Sequence, residues 1–352
     1  MAISLHFHRF DLRLKHTFTI AHDSRTVQST LIVELTDGER SGFGEATANK
    51  YYGITIDRMI QSLERIRDLI EAREWQTAEE LWELAHPALQ DNPFAQCALD
   101  EAAHDLVAKQ LDKPLYQVWG LDPSHNPLTN YTIGIDAIDV MVQKMAELPW
   151  PLYKIKLGTA DDLAIVRALR QHTSATFRVD ANCAWTAEQT LQYVPELAQL
   201  GVELIEQPLK ADDWAGLEQV YRESSLPIIA DESCIAESDV AKCAGYFTGI
   251  NIKLTKCGGL TPARRMIREA RQLGLNVMVG CMNETSVGIS AIAQLLPLLD
   301  YVDMDGTLLI ANDPATGVTF DFGRVIYAQE AGTGAQLIES QSAGSAAPSK
   351  QG

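Results

Sequence analysis

Three carboxylates each close a short apolar run at nearly constant spacing: Asp180 in FRVDAN, Glu206 in ELIEQP and Asp231 in IIADES. They lie 26 and 25 residues apart. Lysines take the same kind of position one unit earlier and one unit later, with Lys154 and Lys156 in YKIKLG and Lys253 in INIKLTK. Asp180 follows Lys156 by 24 residues, and Lys253 follows Asp231 by 22. A strand, a crossover helix and two short loops take roughly this length. Lys, Asp, Glu, Asp and Lys are therefore expected at one end of one sheet.

One carboxylate after an apolar strand usually caps the next helix or faces solvent. Three in consecutive units repel one another unless a cation neutralises them. All-oxygen ligands suit a hard divalent ion, and Mg²⁺ commonly keeps water or substrate oxygens in its remaining positions. Lys154 and Lys156 are two apart and share one strand face. Buried lysines are rare unless paired, so two on one inner face need a reason. A second ammonium and a cation nearby lower a lysine's pKa and make it a usable base. Lys253 would approach a bound substrate from another side. Such a set can remove the proton α to a carboxylate and return it on the opposite face, which inverts a stereocentre.

The supporting strands and helices are legible as a change of pattern. Residues 1 to about 50 read as strands, with Asp37-Gly38 as a hairpin turn. Residues 56–73, 77–90 and 94–110 carry helical periodicity, and Pro93 suits the first position of the third helix. This predicts an α+β domain over 1–115. Lys113-Pro114 and GLDPSHNPL at 120–128 mark its end. Apolar strands follow at 129–134, 153–157, 177–180, 203–206, 227–230, 250–254, 276–279 and 301–304, with helical stretches between most of them. Eight strands with regular crossovers favour a parallel barrel, assigned to 116–325. Residues 318–330 have strand character and are expected to return to the first domain, the returning segment being bounded at 326–340. The tail, 341–352, lacks apolar residues able to build a core and is expected to be disordered.

The chain has 352 residues, 46% of them hydrophobic, and a net charge of −18. That charge disfavours nucleic acid and anionic membranes as partners. No apolar run approaches the roughly 18–20 residues needed to span a bilayer. The N-terminus alternates polar with apolar and lacks a signal-peptide core, so a cytoplasmic location is expected. The six cysteines form no C-x-x-C pair and read as reduced, mostly buried thiols. His22, His86 and His104 show no ligand spacing.

The K-x-K run at 154–156, VDAN, IEQP, ADES and NIKL with its downstream Gly-Gly resemble, in order and spacing, the enolase superfamily in its muconate-lactonizing subgroup. The resemblance spans nearly the whole chain. It implies a (β/α)7β TIM-like barrel with an N-terminal α+β capping domain, and one Mg²⁺ per subunit. It makes Asp180, Glu206 and Asp231 the metal ligands, and Lys156 and Lys253 the two acid/base catalysts. Lys154 would hold the substrate carboxylate and stabilise the enediolate. Lys256 is assigned to the following loop, because the family places the base in the NIKL run. Asn182 and Glu232 are expected behind the metal ligands.

Asp303 and Asp305 in YVDMDGT share one strand face, where a pair of aspartates would suit a cationic group. This D-x-D resembles that of dipeptide epimerases, where it binds the α-ammonium. IAHDSRT, at 20–26, resembles the specificity loop of the family, and Arg25 resembles an arginine that holds a glutamate side chain. Glu284 and Thr285 are expected to line the mouth, with Thr132 near the carboxylate; Tyr51 and Tyr52 could shape the pocket. The resemblance therefore implies a dipeptide epimerase, with L-Ala-D/L-Glu as the best single substrate, a role in murein peptide recycling and a homo-oligomeric state. Other dipeptides are the alternative. o-Succinylbenzoate synthase, muconate cycloisomerase and N-acylamino-acid racemase chemistry share the scaffold, but their substrates carry no α-ammonium for Asp303 and Asp305. A non-catalytic scaffold would need neither the triad nor the lysines.

Overall fold

The computed structural model describes residues 3–72 and 74–338. Residues 4–47 build an antiparallel meander of β1 (Ser4–Ile20), β2 (Asp23–Thr36) and β3 (Ser41–Thr47). Helices α1 (Ile56–Glu64), α2 (Arg67–Glu71), α3 (Ala78–Leu89) and α4 (Pro93–Gln110) follow. Their starts are written in the sequence. Thr55 caps α1, Thr77 and Glu80 form a capping box on α3, and Asn92 caps α4 with Pro93 in its first turn.

Helix α4 is buried almost all round, with Asp100, Glu101, His104, Asp105 and Lys109 among its buried residues. It runs between the meander and the barrel, so its polar side chains bond across both contacts. Gly44 lets β3 lie directly on it: a Cβ there would stand 2.1 Å from Ala98 O.

After the short helix α5 (Leu115–Val118), eight parallel strands appear: β4 (Tyr131–Ile133), β5 (Leu152–Lys156), β6 (Thr176–Asp180), β7 (Val202–Glu206), β8 (Ile228–Ala230), β9 (Gly249–Lys253), β10 (Asn276–Gly280) and β11 (Tyr301–Asp303). They pair in sequence order, and a parallel bridge from Thr129 to Val302 joins the first to the last. The crossover helices are α6 (Ile138–Glu147), α7 (Asp162–Arg170), α8 (Ala187–Gln199), α9 (Trp214–Glu223), α10 (Glu237–Cys243), the one-turn α11 (Leu254–Cys257) with α12 (Leu260–Gln272), and α13 (Ser286–Ala293); α14 (Gly306–Leu309) follows β11.

Alternation along the strands sorts their side chains. Ile155, Val179, Ile205, Ile252, Val279 and Val302 belong to the large core shared with the helices. Leu204, Ile229 and Met278 form a separate small cluster with Tyr301 against it. Each buried aliphatic side chain of this kind stabilises the fold by about 1.5–3 kcal/mol.

The C-terminal part departs from the expectation for 318–330. β12 (Ala315–Thr316) is followed by the hairpin of β13 (Thr319–Asp321) and β14 (Arg324–Ile326). That hairpin closes the bottom of the barrel: Thr129 N donates to Gly323 O at 2.9 Å, and the Phe322 ring lies 6.4 Å from that of Trp150. Contact with the first domain comes later. Thr333 N donates to Asp105 Oδ1, Lys109 Nζ donates to Ala335 O, and β15 (Gln336–Leu337) pairs with β12. Residues 341–352 lie outside the described residues. No helix among those described is long and apolar enough to cross a membrane.

Candidate active site

Register places the charged residues. Lys156 pairs with Asp180 and Asp180 with Glu206, while Gly280 pairs with both Lys253 and Asp303. These are the last residues of their strands, so all open at the C-terminal mouth of the barrel, where catalytic groups of such barrels gather. Asp231 follows β8 directly and joins them.

Asp180, Glu206 and Asp231 are fully buried or nearly so, and each offers a carboxylate oxygen within 4.8 Å of the other two. Burial and the two neighbouring aspartates push Glu206 up, against the pull of Lys154. Asn251 Nδ2 donates to Glu206 Oε1 at 2.9 Å, and Gly280 leaves room for that amide, since a Cβ there would meet it at 2.8 Å. Glu206 Oε2 is buried, with Lys154 Nζ 2.7 Å away. Three buried carboxylates converging within 4.8 Å fit a hard divalent cation.

Lysines surround this triad. Lys154 Nζ lies 2.7 Å from Asp303 Oδ2 and 3.3 Å from Asp180 Oδ2. Burial works against its charge, but Asp303, Glu206 and Asp180 outweigh this and hold its pKa well above normal. Lys156 Nζ donates to Asp180 Oδ2 at 2.6 Å. Lys253 Nζ donates to Asp231 Oδ2 at 2.7 Å; its burial is likewise outweighed by Asp231 and Glu206, which raise it. β5 and β9 are four strands apart in the eight-stranded barrel, so Lys156 and Lys253 stand on opposite walls.

Lys256 differs from expectation. It lies on α11 and turns back beneath the mouth, donating to Asp231 Oδ1 at 2.5 Å, Asp231 O at 2.7 Å and Cys234 O at 3.3 Å. Its position three residues after Lys253, on one helical turn, was the available signal. Together the two lysines hold Asp231 ionised far below the usual carboxylate range, against its burial.

A cavity of about 440 Å³ opens above these groups. Lys154, Lys156, Lys253, Asp231, Asn182 and Glu232 line its floor, and Thr132, Asp303 and Asp305 one side. Asn182 N donates to Asp180 Oδ1, and its amide reaches Glu232 Oε1 at 3.5 Å. Asp303 accepts from Lys154 and from Asn130 Nδ2, and despite its burial is held at about 2. Asp305 accepts from Thr132 N at 2.5 Å; burial and its neighbour Asp303 push it up to about 7.

The roof comes from the first domain. Phe18, Ile20, His22, Asp23 and Arg25 of the β1–β2 hairpin line it, with Asn49, Lys50, Tyr51 and Tyr52 beside them. The Tyr51 ring lies 5.3 Å from His22 and 4.9 Å from Tyr52. Arg25 is engaged within its own strand by Asp23 and by Gln28.

Glu284 and Thr285 are not at the mouth; Cys281, Met282 and Asn283 take that place. Thr285 caps α13 and is fully buried, and Glu45 of β3 accepts from Thr285 N, Thr285 Oγ1 and Gly288 N. Glu284 turns back to accept from Met282 N, and burial beside Glu45 raises it to about 8. Thr285, through Glu45, joins the barrel to the first domain. The contact spans 240 residues of chain, which local sequence reading cannot see.

An eight-stranded barrel with a carboxylate triad, facing lysines and an α+β roof defines the enolase superfamily. The chain belongs to it: residues 5–120 match the mandelate racemase/muconate lactonizing enzyme N-terminal domain, and residues 137–340 the enolase C-terminal domain-like family. An L-Ala-D/L-amino acid epimerase of Flavobacterium johnsoniae is 57% identical over 329 residues, covering 94% of this chain and 98% of that relative. An L-Ala-D/L-Glu epimerase of Bacteroides thetaiotaomicron is 37% identical, covering 94% of this chain and 87% of the relative. The crystal structure of a dipeptide epimerase from Enterococcus faecalis, complexed with Mg and L-Leu-L-Tyr, superposes with a TM-score of 0.87 at 32% identity, covering 95% of this chain and 99% of that one.

Proposed function

We propose that this protein is a Mg²⁺-dependent dipeptide epimerase that inverts the α-carbon of the C-terminal residue by two-base proton transfer. The observation that carries the reading is the placement of Lys156 and Lys253 on opposite walls, with the carboxylate triad between their strands. Relatives named as L-Ala-D/L-amino acid and L-Ala-D/L-Glu epimerases support it.

Asp180, Glu206 and Asp231 would hold the cation, which when bound supplies electrophilic stabilisation of charge on the substrate carboxylate. Lys154, kept charged by its three acidic neighbours, adds a fixed ammonium on the same side. Lys156 on one wall and Lys253 on the other remove and return the α-proton; one must be neutral when the other is protonated. Asp303 and Asp305 receive the α-ammonium of the N-terminal residue. Asn182 and Glu232 sit against the triad and fix its orientation. The roof at 18–25 and 49–52 faces the C-terminal side chain and shields the site from water.

L-Ala-L-Glu and L-Ala dipeptides with other C-terminal residues are the proposed substrates, and murein-derived peptides in the cytoplasm their source. Incubating the Mg²⁺-loaded enzyme with a library of L,L-dipeptides, followed by chiral separation, tests the reading. Formation of L-Ala-D-X products supports it; no L,D product from any dipeptide would overturn it.

A further inference from the structure

The inward face of the β1–β2 hairpin carries four side chains in register. Phe18 pairs with Arg25 and Ile20 with Asp23 across the two strands, and all four line the cavity. Asp23 and Arg25 are two apart on β2, so both point the same way. Arg25 Nε donates to Asp23 Oδ2 at 2.8 Å, and Nη2 stands 2.5 Å from the same oxygen. Nη1 donates to Gln28 Oε1. Gln28 is itself fixed and 3% exposed, its amide donating to Ala48 O at 2.8 Å and Ser29 O at 3.0 Å. The guanidinium is thus held on two sides before any ligand arrives.

This bears on which dipeptides enter. With the α-carbon between Lys156 and Lys253 and the ammonium at Asp303 and Asp305, the remaining wall is the roof, where the C-terminal side chain must lie. An acidic side chain can take the Nε/Nη2 edge of Arg25 in a two-pronged pair only by displacing Asp23, while Gln28 already holds Nη1 on the other edge. A neutral side chain meets Phe18, Ile20 and Tyr51 with the ion pair intact. Resting on the dipeptide reading above, we propose that Asp23 is a specificity-determining residue: by occupying Arg25 it opens the site to neutral C-terminal side chains and handicaps acidic ones.

The test measures kcat/KM of the Mg²⁺-loaded enzyme for L-Ala-L-Glu and L-Ala-L-Met in four proteins: the parent, Asp23→Ala, Arg25→Ala and the double variant. Freeing Arg25 should raise the Glu-to-Met ratio roughly five- to tenfold in Asp23→Ala, as expected for one charge-assisted pair at a half-open site. Without Arg25, the same aspartate change should move the ratio less than about twofold. An unchanged or lowered ratio in Asp23→Ala would overturn the proposal; it would also show that acidic side chains are held elsewhere, for instance at the exposed Lys50. An equal rise with and without Arg25 would overturn it too, leaving only a general field effect. No epimerisation of either dipeptide by the parent would instead bring down the dipeptide reading, and this proposal with it.

Discussion

Lys156 and Asp180 are register partners on adjacent strands, and the lysine Nζ donates to the aspartate Oδ2 at 2.6 Å. A proposed base therefore rests on a proposed metal ligand. Lys253 stands in the same relation to Asp231. Each of these two carboxylates would hold the cation on one side and a base on the other.

Replacing either base should separate epimerisation from exchange. Lys156→Ala and Lys253→Ala should each lower epimerisation by about 10³-fold or more, near the upper range for general acid–base groups. Each variant should still exchange the α-proton of the one epimer whose C–H faces the surviving lysine. Proton NMR in D₂O with pure L,L and L,D dipeptides reads both rates. Normal turnover in either variant contradicts the two-base arrangement.

Lys256 should matter to the cation through Asp231 alone. Mg²⁺ should raise the melting temperature of the parent protein, since a ligand that binds only the folded state stabilises it. Glu206→Gln should lose most of that rise. Lys256→Met, which removes the donor to Asp231 Oδ1 and its backbone oxygen, should weaken Mg²⁺ affinity roughly tenfold, the usual scale for groups that orient a ligand. Unaltered affinity in a calorimetric titration would mean that Asp231 needs no such support.

Asp303→Asn should discriminate among substrates. An ammonium paired with a buried carboxylate should make kcat/KM for dipeptides fall about 10²-fold, while N-acylated amino acids, which lack the ammonium, lose far less. Equal losses on both would rule out the contact.

Glu284 supplies a pH test away from the catalytic groups. Burial beside Glu45 raises its carboxyl from 4.5 to about 8. The folded protein then holds a proton that the unfolded chain has already released between about pH 4.5 and 8. Stability contributed by the neutral form is lost as pH rises through that window. Glu284→Gln should remove this part of the slope, so urea midpoints measured at pH 5, 6.5 and 8 should fall less steeply than in the parent. Parallel pH profiles would show that Glu284 does not titrate there.

Glu45→Ala should be costly for a different reason. It leaves Thr30 Oγ1, Thr285 N, Thr285 Oγ1 and Gly288 N without their carboxylate acceptor inside the domain contact. Such a loss typically costs about 2–4 kcal/mol. Chemical unfolding measures it, and a change below about 0.5 kcal/mol would show that water or a shift in α13 replaces the bonds.

The barrel and its charged mouth were legible because strand-end spacing is a local signal. Lys156, Asp180, Glu206 and Lys253 each end the strand on which their spacing put them. What stayed hidden depends on contacts between distant parts of the chain. Asp100 accepts from Thr261 N and Oγ1 across 161 residues, and Glu45 from Thr285 across 240. Neither pairing leaves a periodic trace, so the burial of Thr285 under Glu45 cannot be read from its own segment. The hairpin at 319–326 reads as strand in any register, so its place beneath the barrel, not against the first domain, came only with the fold. Asp23 was closer to view: its two-residue offset from Arg25 on a strand already puts an acid beside the arginine.

Proton transfer at one carbon leaves its record in the position of solvent isotope. The Mg²⁺-loaded enzyme should be incubated with L-Ala-L-Glu in D₂O and both product epimers separated and read by NMR. Deuterium is expected at the α-carbon of the C-terminal residue in the L,D product, and none in the alanine. Epimerisation without solvent deuterium at that carbon, or deuterium confined to the alanine, would contradict it.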